Sequence, residues 1–316
     1  MKYFDAEELS SLLPYDELIW ALKDGFQEGG EIPLRHSHQI TTNTGTENSL
    51  LLMPCWQQGG LMGLKMVMVC PDNHLVGIES VQSTYILSDA TTGQVKAIMN
   101  GDELTARRTA CASALASSLL SNPESESLLM MGTGKIASHL IRAHQKVRNL
   151  KNIYIWGRRF ETAEKLARNL SSDSAINISA VENPEKYADI SDIISCATLA
   201  KEPILKGKWL KQNKHRHIDL VGGYTYDMRE ADNDVIASSN IYVDTFDGAL
   251  YEAGDILQPI DQGIITKNDV KDDLFSMVIG TFTPDRTKSN TLFKSVGTAL
   301  EDLIAAKLAY KKTNLK

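Results

Sequence analysis

Ser127-Leu128-Leu129-Met130-Met131-Gly132-Thr133-Gly134-Lys135-Ile136-Ala137 reads as a buried strand running into a G-x-G-x-x-A turn. A helical run follows to about Arg148, and Asn152-Ile153-Tyr154-Ile155-Trp156 reads as a second strand ending in Gly157-Arg158-Arg159. Such a turn brings backbone N–H groups and a helix N-terminus up to a pyrophosphate. The turn alone is weak evidence, but strand, helix and second strand supply the context it needs. The end of the second strand is where an adenosine ribose would lie. A carboxylate there suits the 2′-hydroxyl of NAD, whereas Arg158 and Arg159 suit the 2′-phosphate of NADP. The stretch predicts an NADP(H) site at Gly132, Thr133, Gly134, Lys135 and Ile136, with NADH as the alternative; two arginines capping a solvated strand is the plainer reading.

The 316 residues suffice for two domains and an ample core. A hydrophobic content of 42% and a charged content of 23% are ordinary for a globular chain. The net charge of −7 argues against a nucleic-acid partner. No stretch approaches the roughly 18 apolar residues that span a bilayer. The acidic start, Met1 to Glu8, lacks the apolar core of a signal peptide. Cys55, Cys70, Cys111 and Cys196 are scattered, without a C-x-x-C pair, as expected of free thiols in the cytoplasm. His36 with His38, and His215 with His217, have strand-face spacing, but no third ligand follows either pair, so no metal is expected.

More than a hundred residues precede the glycine turn. They read as helices over 5–13 and 15–28, then β-like runs over 38–42, 49–55, 61–69, 76–87 and 95–99, then a long helix over 102–120. Residues 122–126 break that helix and make the candidate hinge. The second half alternates strand and helix, with apolar strands near 176–180, 192–196, 217–221 and 240–244. That alternation marks an α/β fold with a doubly wound parallel sheet. An alanine-rich helix over 295–310 is expected to return to the N-terminal domain.

Three cationic features precede the turn. Lys65 lies in an otherwise apolar strand, Arg107-Arg108 interrupts an alanine-rich helix, and Arg35 follows Pro33-Leu34. Converging on one cleft they would grip a carboxylate. An edge-strand lysine and a solvated helix face fit the spacing equally well.

Resemblance adds to this reading. The motifs Pro33-Leu34-Arg35, Gly63-Leu64-Lys65, Asp89-Ala90-Thr91-Thr92-Gly93 and Leu104-Thr105-Ala106-Arg107-Arg108-Thr109-Ala110 are similar to those of the ornithine cyclodeaminase/μ-crystallin family. So are the glycine turn, Glu252-Ala253-Gly254-Asp255, and the run from Phe293 to Leu303. The resemblance covers essentially the whole chain. It implies a Rossmann domain over 122–294 and an N-terminal α/β domain over 1–121, completed by 295–316, that binds substrate and forms a homodimer. It further implies that Arg35, Lys65 and Arg108 hold a substrate carboxylate beside the nicotinamide, Arg108 matching better than Arg107. Thr198 and the segment Ser295, Val296 and Gly297 would approach the cofactor.

Within the family, cyclodeaminases oxidise ornithine, close the ring, lose ammonia and re-reduce the imine. That route needs a base, which the resemblance places directly after a glycine pair. Here the pair is Gly222-Gly223 and the next residue is Tyr224, with Asp227 further along. A phenol titrating at about 10 is a poor base at neutral pH. The loop 227–232 further resembles bacterial reductases of Δ1-pyrroline-2-carboxylate, the last enzymes of trans-3-hydroxy-L-proline breakdown. The resulting expectation is an oxidoreductase using NADPH to reduce that cyclic imine to L-proline, and its six-membered homologue to L-pipecolate, with Lys65 as the catalytic group. Rivals are an ornithine cyclodeaminase, an amino-acid dehydrogenase and a non-catalytic NADP-binding protein.

Overall fold

The computed structural model describes residues 1–171, 176–211 and 214–314. Two compact units emerge: residues 1–108 with the chain from Thr298 on, and Thr109–Gly297. The divisions fall between Arg108 and Thr109 and after Gly297, against expected breaks after 121 and 294.

The first unit opens with β1 (Lys2–Phe4), α1 (Ala6–Leu12) and α2 (Tyr15–Glu28). Asp5 caps α1, accepting from the Glu8 amide at 2.9 Å, while the Glu8 carboxylate returns to the Asp5 amide at 3.2 Å. Leu18, Ile19, Leu22 and Phe26 form the buried face of α2, at the helical spacing visible in the sequence. Then come β2 (His36–Thr41), β3 (Glu47–Trp56), β4 (Leu61–Val69), β5 (Val81–Asp89), β6 (Val95–Asn100) and the start of α3 (Gly101–Leu120), which passes into the second unit after Arg108. The sheet order is β1-β6-β5-β4-β3-β2, parallel only at β1–β6. Alternation in β4 turns Gly63, Lys65 and Val67 to the buried face. Gly63 is required there, because a Cβ would fall 1.7 Å from the Tyr85 hydroxyl.

The run expected over 76–87 begins later. A 3₁₀ turn over Pro71–Val76 closes on Gly77 with φ at +72°, and the strand starts only at Val81. The β5–β6 hairpin is set by Asp89, whose carboxylate accepts from the amides of Thr91 at 3.0 Å and Thr92 at 2.9 Å.

The second unit runs β7 (Ser127–Met131), α4 (Lys135–Val147), β8 (Asn152–Trp156), α5 (Phe160–Ser171), β9 (Asn177–Ala180), α6 (Pro184–Ile190) and β10 (Ile193–Cys196). It continues through β11 (Arg216–Leu220), α7 (Asn233–Ala237), β12 (Ser239–Val243), α8 (Phe246–Glu252), α9 (Gly254–Asp261), β13 (Val270–Asp273), α10 (Leu274–Met277) and β14 (Asn290–Lys294). All pairs in the sheet β13-β12-β14-β11-β10-β7-β8-β9 are parallel. The chain winds outward from β7 to β9, returns to β10 and winds the other way. Ligands of such sheets sit outside the carboxyl ends near that reversal.

The expected helix over 295–310 starts four residues late, as α11 (Ala299–Asn314). Gly297 has φ at +85°, and the Asp244 carboxylate holds the Val296 amide at 2.7 Å and the Gly297 amide at 2.6 Å, so this stretch cannot be helical. α11 packs on α2, β3 and β4 of the first unit. Gly25 admits the crossing, since a Cβ there would lie 2.3 Å from the Ile304 side chain.

Candidate functional site

In the first unit Lys65 and Arg108 are buried, at 2% and 4% exposure, so neither is an edge charge or part of a solvated helix face. Both meet α11. Lys65 Nζ lies 2.8 Å from Asp302 Oδ2, and Arg108 reaches Asp302 through Nε at 2.9 Å and Glu301 through Nη1 at 2.5 Å. Burial pushes the Lys65 ammonium down, the Arg108 charge adds to this, and Asp302 opposes both, leaving it at about 8. Arg35, just before β2, is near enough for its charge to lower Lys65 as well. Burial would also depress Arg108, but Asp302 and Glu301 outweigh it and raise its pKa.

Arg107 points elsewhere. It bonds Glu103 at 2.6 Å, the Leu13 carbonyl at 3.0 Å and the Ser10 hydroxyl, and stacks on the Tyr15 ring at 4.8 Å. It ties α3 to the α1–α2 region, while Arg108 joins the Lys65 cluster.

In the second unit a cavity of about 640 Å³ opens at the carboxyl ends of β7, β8, β10 and β11. Gly132, Thr133, Gly134 and Ile136 line it after β7. Arg158 and Arg159 line it after β8, and Thr198 after β10. Gly132 has φ at +131°, and a Cβ there would meet the Ala197 carbonyl at 2.5 Å. Gly134 faces open space at the N-terminus of α4, which carries no side-chain cap. Backbone donors are therefore open to an anion at this turn, and the arginines stand one strand away. The residues fit a dinucleotide.

Not every predicted residue reaches this cavity. Lys135 is exposed and outside the lining, leaving its first-turn N–H as its contribution. Ser295, Val296 and Gly297 are also outside it, and all three donate to Asp244, Ser295 through its hydroxyl at 3.3 Å. Tyr224 does line the cavity. Asp227 is more than half exposed, 2.7 Å from Lys201. It also accepts from the Thr225 hydroxyl at 2.6 Å. The Lys201 contact is the main cause holding its carboxyl below the usual range. Among the described residues no three His, Cys, Asp or Glu side chains gather as a metal site.

A model of the ornithine cyclodeaminase/mu-crystallin family matches residues 5–316. The chain belongs to this family. An uncharacterized protein of Schizosaccharomyces pombe is 47% identical over 324 residues, 99% of this chain and 98% of that one. The Δ1-pyrroline-2-carboxylate reductase of Colwellia psychrerythraea is 33% identical over 319 residues, 99% of each. Among solved structures, Thermococcus litoralis Δ1-pyrroline-2-carboxylate reductase in complex with NADH and L-proline superposes with a TM-score of 0.91 at 32% identity, covering 100% of this chain and 98% of that one.

The sequence does not single out Asp302 and Glu301 as site residues, although both stand inside the 293–303 motif. Their signal is indirect: a lysine in an apolar strand needs a counter-charge, but nothing local says which carboxylate supplies it. Glu230, buried beside the cavity, has no signal. In the loop 227–232 it looks no different from Asp227 or Asp232.

Proposed function

We propose that this family member reduces Δ1-pyrroline-2-carboxylate to L-proline with NADPH, and accepts the six-membered homologue to give L-pipecolate. The observation that carries the reading is the full-length likeness to a reductase solved with NADH and L-proline. Tyr224, where the cyclodeaminase route needs an acid, agrees with it, as does Asp227's engagement with Lys201.

Arg35, Lys65 and Arg108 bind the substrate carboxylate, their guanidinium and ammonium donors matching its two oxygens. Lys65, with a pKa of about 8, is mostly protonated at neutral pH and still able to release a proton to the imine nitrogen. The nicotinamide, when bound, supplies hydride to the imine carbon. Gly132, Thr133, Gly134, Ile136 and the Lys135 amide hold the pyrophosphate, Thr198 borders the nicotinamide end, and Arg158 and Arg159 take the 2′-phosphate, which favours NADPH over NADH. Ser295, Val296 and Gly297, already engaged by Asp244, shape the neighbouring loop.

The protein acts as a homodimer in this reading. Leu34, Ile40, Met66 and Val81 are exposed on and around the antiparallel sheet, with Leu75, Val76 and Ile78 beside them, an apolar surface suited to a second copy. The cytoplasm and trans-3-hydroxy-L-proline breakdown are the setting that the resemblance suggests.

The test follows NADPH absorbance with Δ1-pyrroline-2-carboxylate, with ornithine and NAD in a parallel cuvette, on material whose mass is read by light scattering. Rapid NADPH oxidation, no ammonia from ornithine and a dimeric mass are expected. Proline and ammonia from ornithine would instead make the protein a cyclodeaminase, and a monomeric mass would remove the dimer.

A further inference from the structure

Glu230 is fully buried in the loop between β11 and α7, and its carboxylate accepts three hydrogen bonds. Oε1 accepts from the Thr198 amide at 2.6 Å and the Thr198 hydroxyl at 2.8 Å. Oε2 accepts from the Gly222 amide at 2.8 Å. Thr198 follows β10, Gly222 follows β11, and both line the cavity. One carboxylate thus joins two neighbouring strand ends on the wall where a dinucleotide would lie. The two backbones touch, for a Cβ on Gly222 would fall 1.9 Å from the Thr198 carbonyl oxygen and 2.3 Å from its nitrogen.

A second buried layer holds Glu230 in place. Its amide donates to Asp255 Oδ1 at 2.7 Å, and Asp255 Oδ2 lies 3.0 Å from Lys294 Nζ. Glu230, Asp255 and Lys294 are all at 0% exposure. Two joined strand ends need no charge between them, and a neutral amide would fill the same space. An ionised carboxylate accepts all three hydrogen bonds at full strength, whereas the protonated acid turns one oxygen into a donor and a poorer acceptor, which weakens the bonds to that oxygen.

We propose that Glu230 is a positioning residue for the nucleotide cavity, and that its charge holds the Thr198–Gly222 wall in its binding shape, so that dinucleotide affinity depends on one proton. The inference rests on the dinucleotide reading of the cavity. Burial raises the Glu230 carboxyl to about 7, Lys294 from β14 opposes this, and Asp255 from α9 adds to it. The Cys196 thiol of β10, which burial pushes well above its usual range, feels Glu230, Asp255, Lys294 and Asp219 of β11 together. Binding then weakens as pH falls through neutrality, because the charged form is the one that holds the wall.

The experiment titrates the protein with NADH between about pH 5.5 and 8.5, following nucleotide fluorescence. NADH is the probe because the 2′-phosphate of NADPH would itself titrate at about 6. The Kd is expected to rise from pH 8 to pH 6 by up to about tenfold, the most that a single linked proton at this carboxyl gives over that range. In Glu230→Gln the rise should vanish and the Kd should stay near the wild-type acid value. Thr198→Val, which removes one donor to the ionised carboxylate, should move the midpoint to higher pH. That variant decides the matter if Glu230→Gln does not fold. A purely structural role would change the Kd equally at every pH and leave the midpoint in place. A flat wild-type profile, a pH dependence surviving in Glu230→Gln, or an unmoved midpoint in Thr198→Val would overturn the inference. NADH binding at no pH would instead remove the dinucleotide reading, and this inference with it.

Discussion

Exchanging Asp302 for asparagine is expected to destabilise the protein by about 3–5 kcal/mol, the usual cost of leaving buried charge unpaired. Asp302 faces Lys65 at 2.8 Å and Arg108 Nε at 2.9 Å, and all three side chains are buried. Arg108 keeps Glu301 at 2.5 Å, so the loss falls mainly on Lys65, which is buried. Denaturant unfolding measures the effect, and a change below about 1 kcal/mol would mean that solvent reaches the cluster. The same substitution has a kinetic signature. If Lys65 gives its proton to the imine, kcat/KM falls as pH rises through about 8, where the ammonium deprotonates. Asp302 raises that pKa, so its loss moves the falling limb to lower pH. Lys65→Met should abolish turnover while leaving NADPH binding intact. A limb unmoved in Asp302→Asn would assign the titration to the substrate rather than to Lys65.

Converting Arg158 and Arg159 together to alanine should weaken NADPH binding by about 10- to 100-fold and leave NADH within about threefold. A phosphate on two guanidinium groups is worth roughly 1.5–3 kcal/mol. Both arginines are exposed on the cavity wall after β8, so the effect should shrink as salt is added. The Thr162 hydroxyl donates to the Arg159 carbonyl at 2.7 Å, which keeps this corner in shape without the side chains. Parallel fluorescence titrations with the two nucleotides measure the ratio. Equal losses for both would show that the arginines stabilise the turn rather than select the phosphate.

The glycine turn, α2 and the β4 strand are legible in the sequence because each has a local cause: a required backbone conformation, a 3.6-residue apolar period, an alternating face. β14 is not. Asn290, Thr291 and Lys294 read as polar, yet the strand is wholly buried between β11 and β12, with Lys294 neutralised by Asp255. The partners of Thr291 and Lys294, the Leu120 carbonyl and Asp255, lie on elements far off in the chain, which no local period reports. The cation cluster is half legible for the same reason. Lys65 announces itself by its apolar neighbours, but the carboxylate that answers Arg108 lies 194 positions further on. Ser295, Val296 and Gly297 stand in a motif that suggests a ligand, and what the motif supports here is a loop wrapped on Asp244.

The placement of Glu301 and Asp302 on α11 bears on the order of assembly. The second unit is one uninterrupted stretch, Thr109–Gly297, whose chain is complete before α11 begins. The other unit begins earlier and finishes later. Until α11 emerges, Lys65 and Arg108 lack the carboxylates that allow them to be buried, and the groove along α2, β3 and β4 stands open. The Lys65–Arg108 cluster is therefore completed only after the chain of the second unit has been made, and a cut ahead of Ala299 is expected to remove the cluster's carboxylates while leaving Thr109–Gly297 folded.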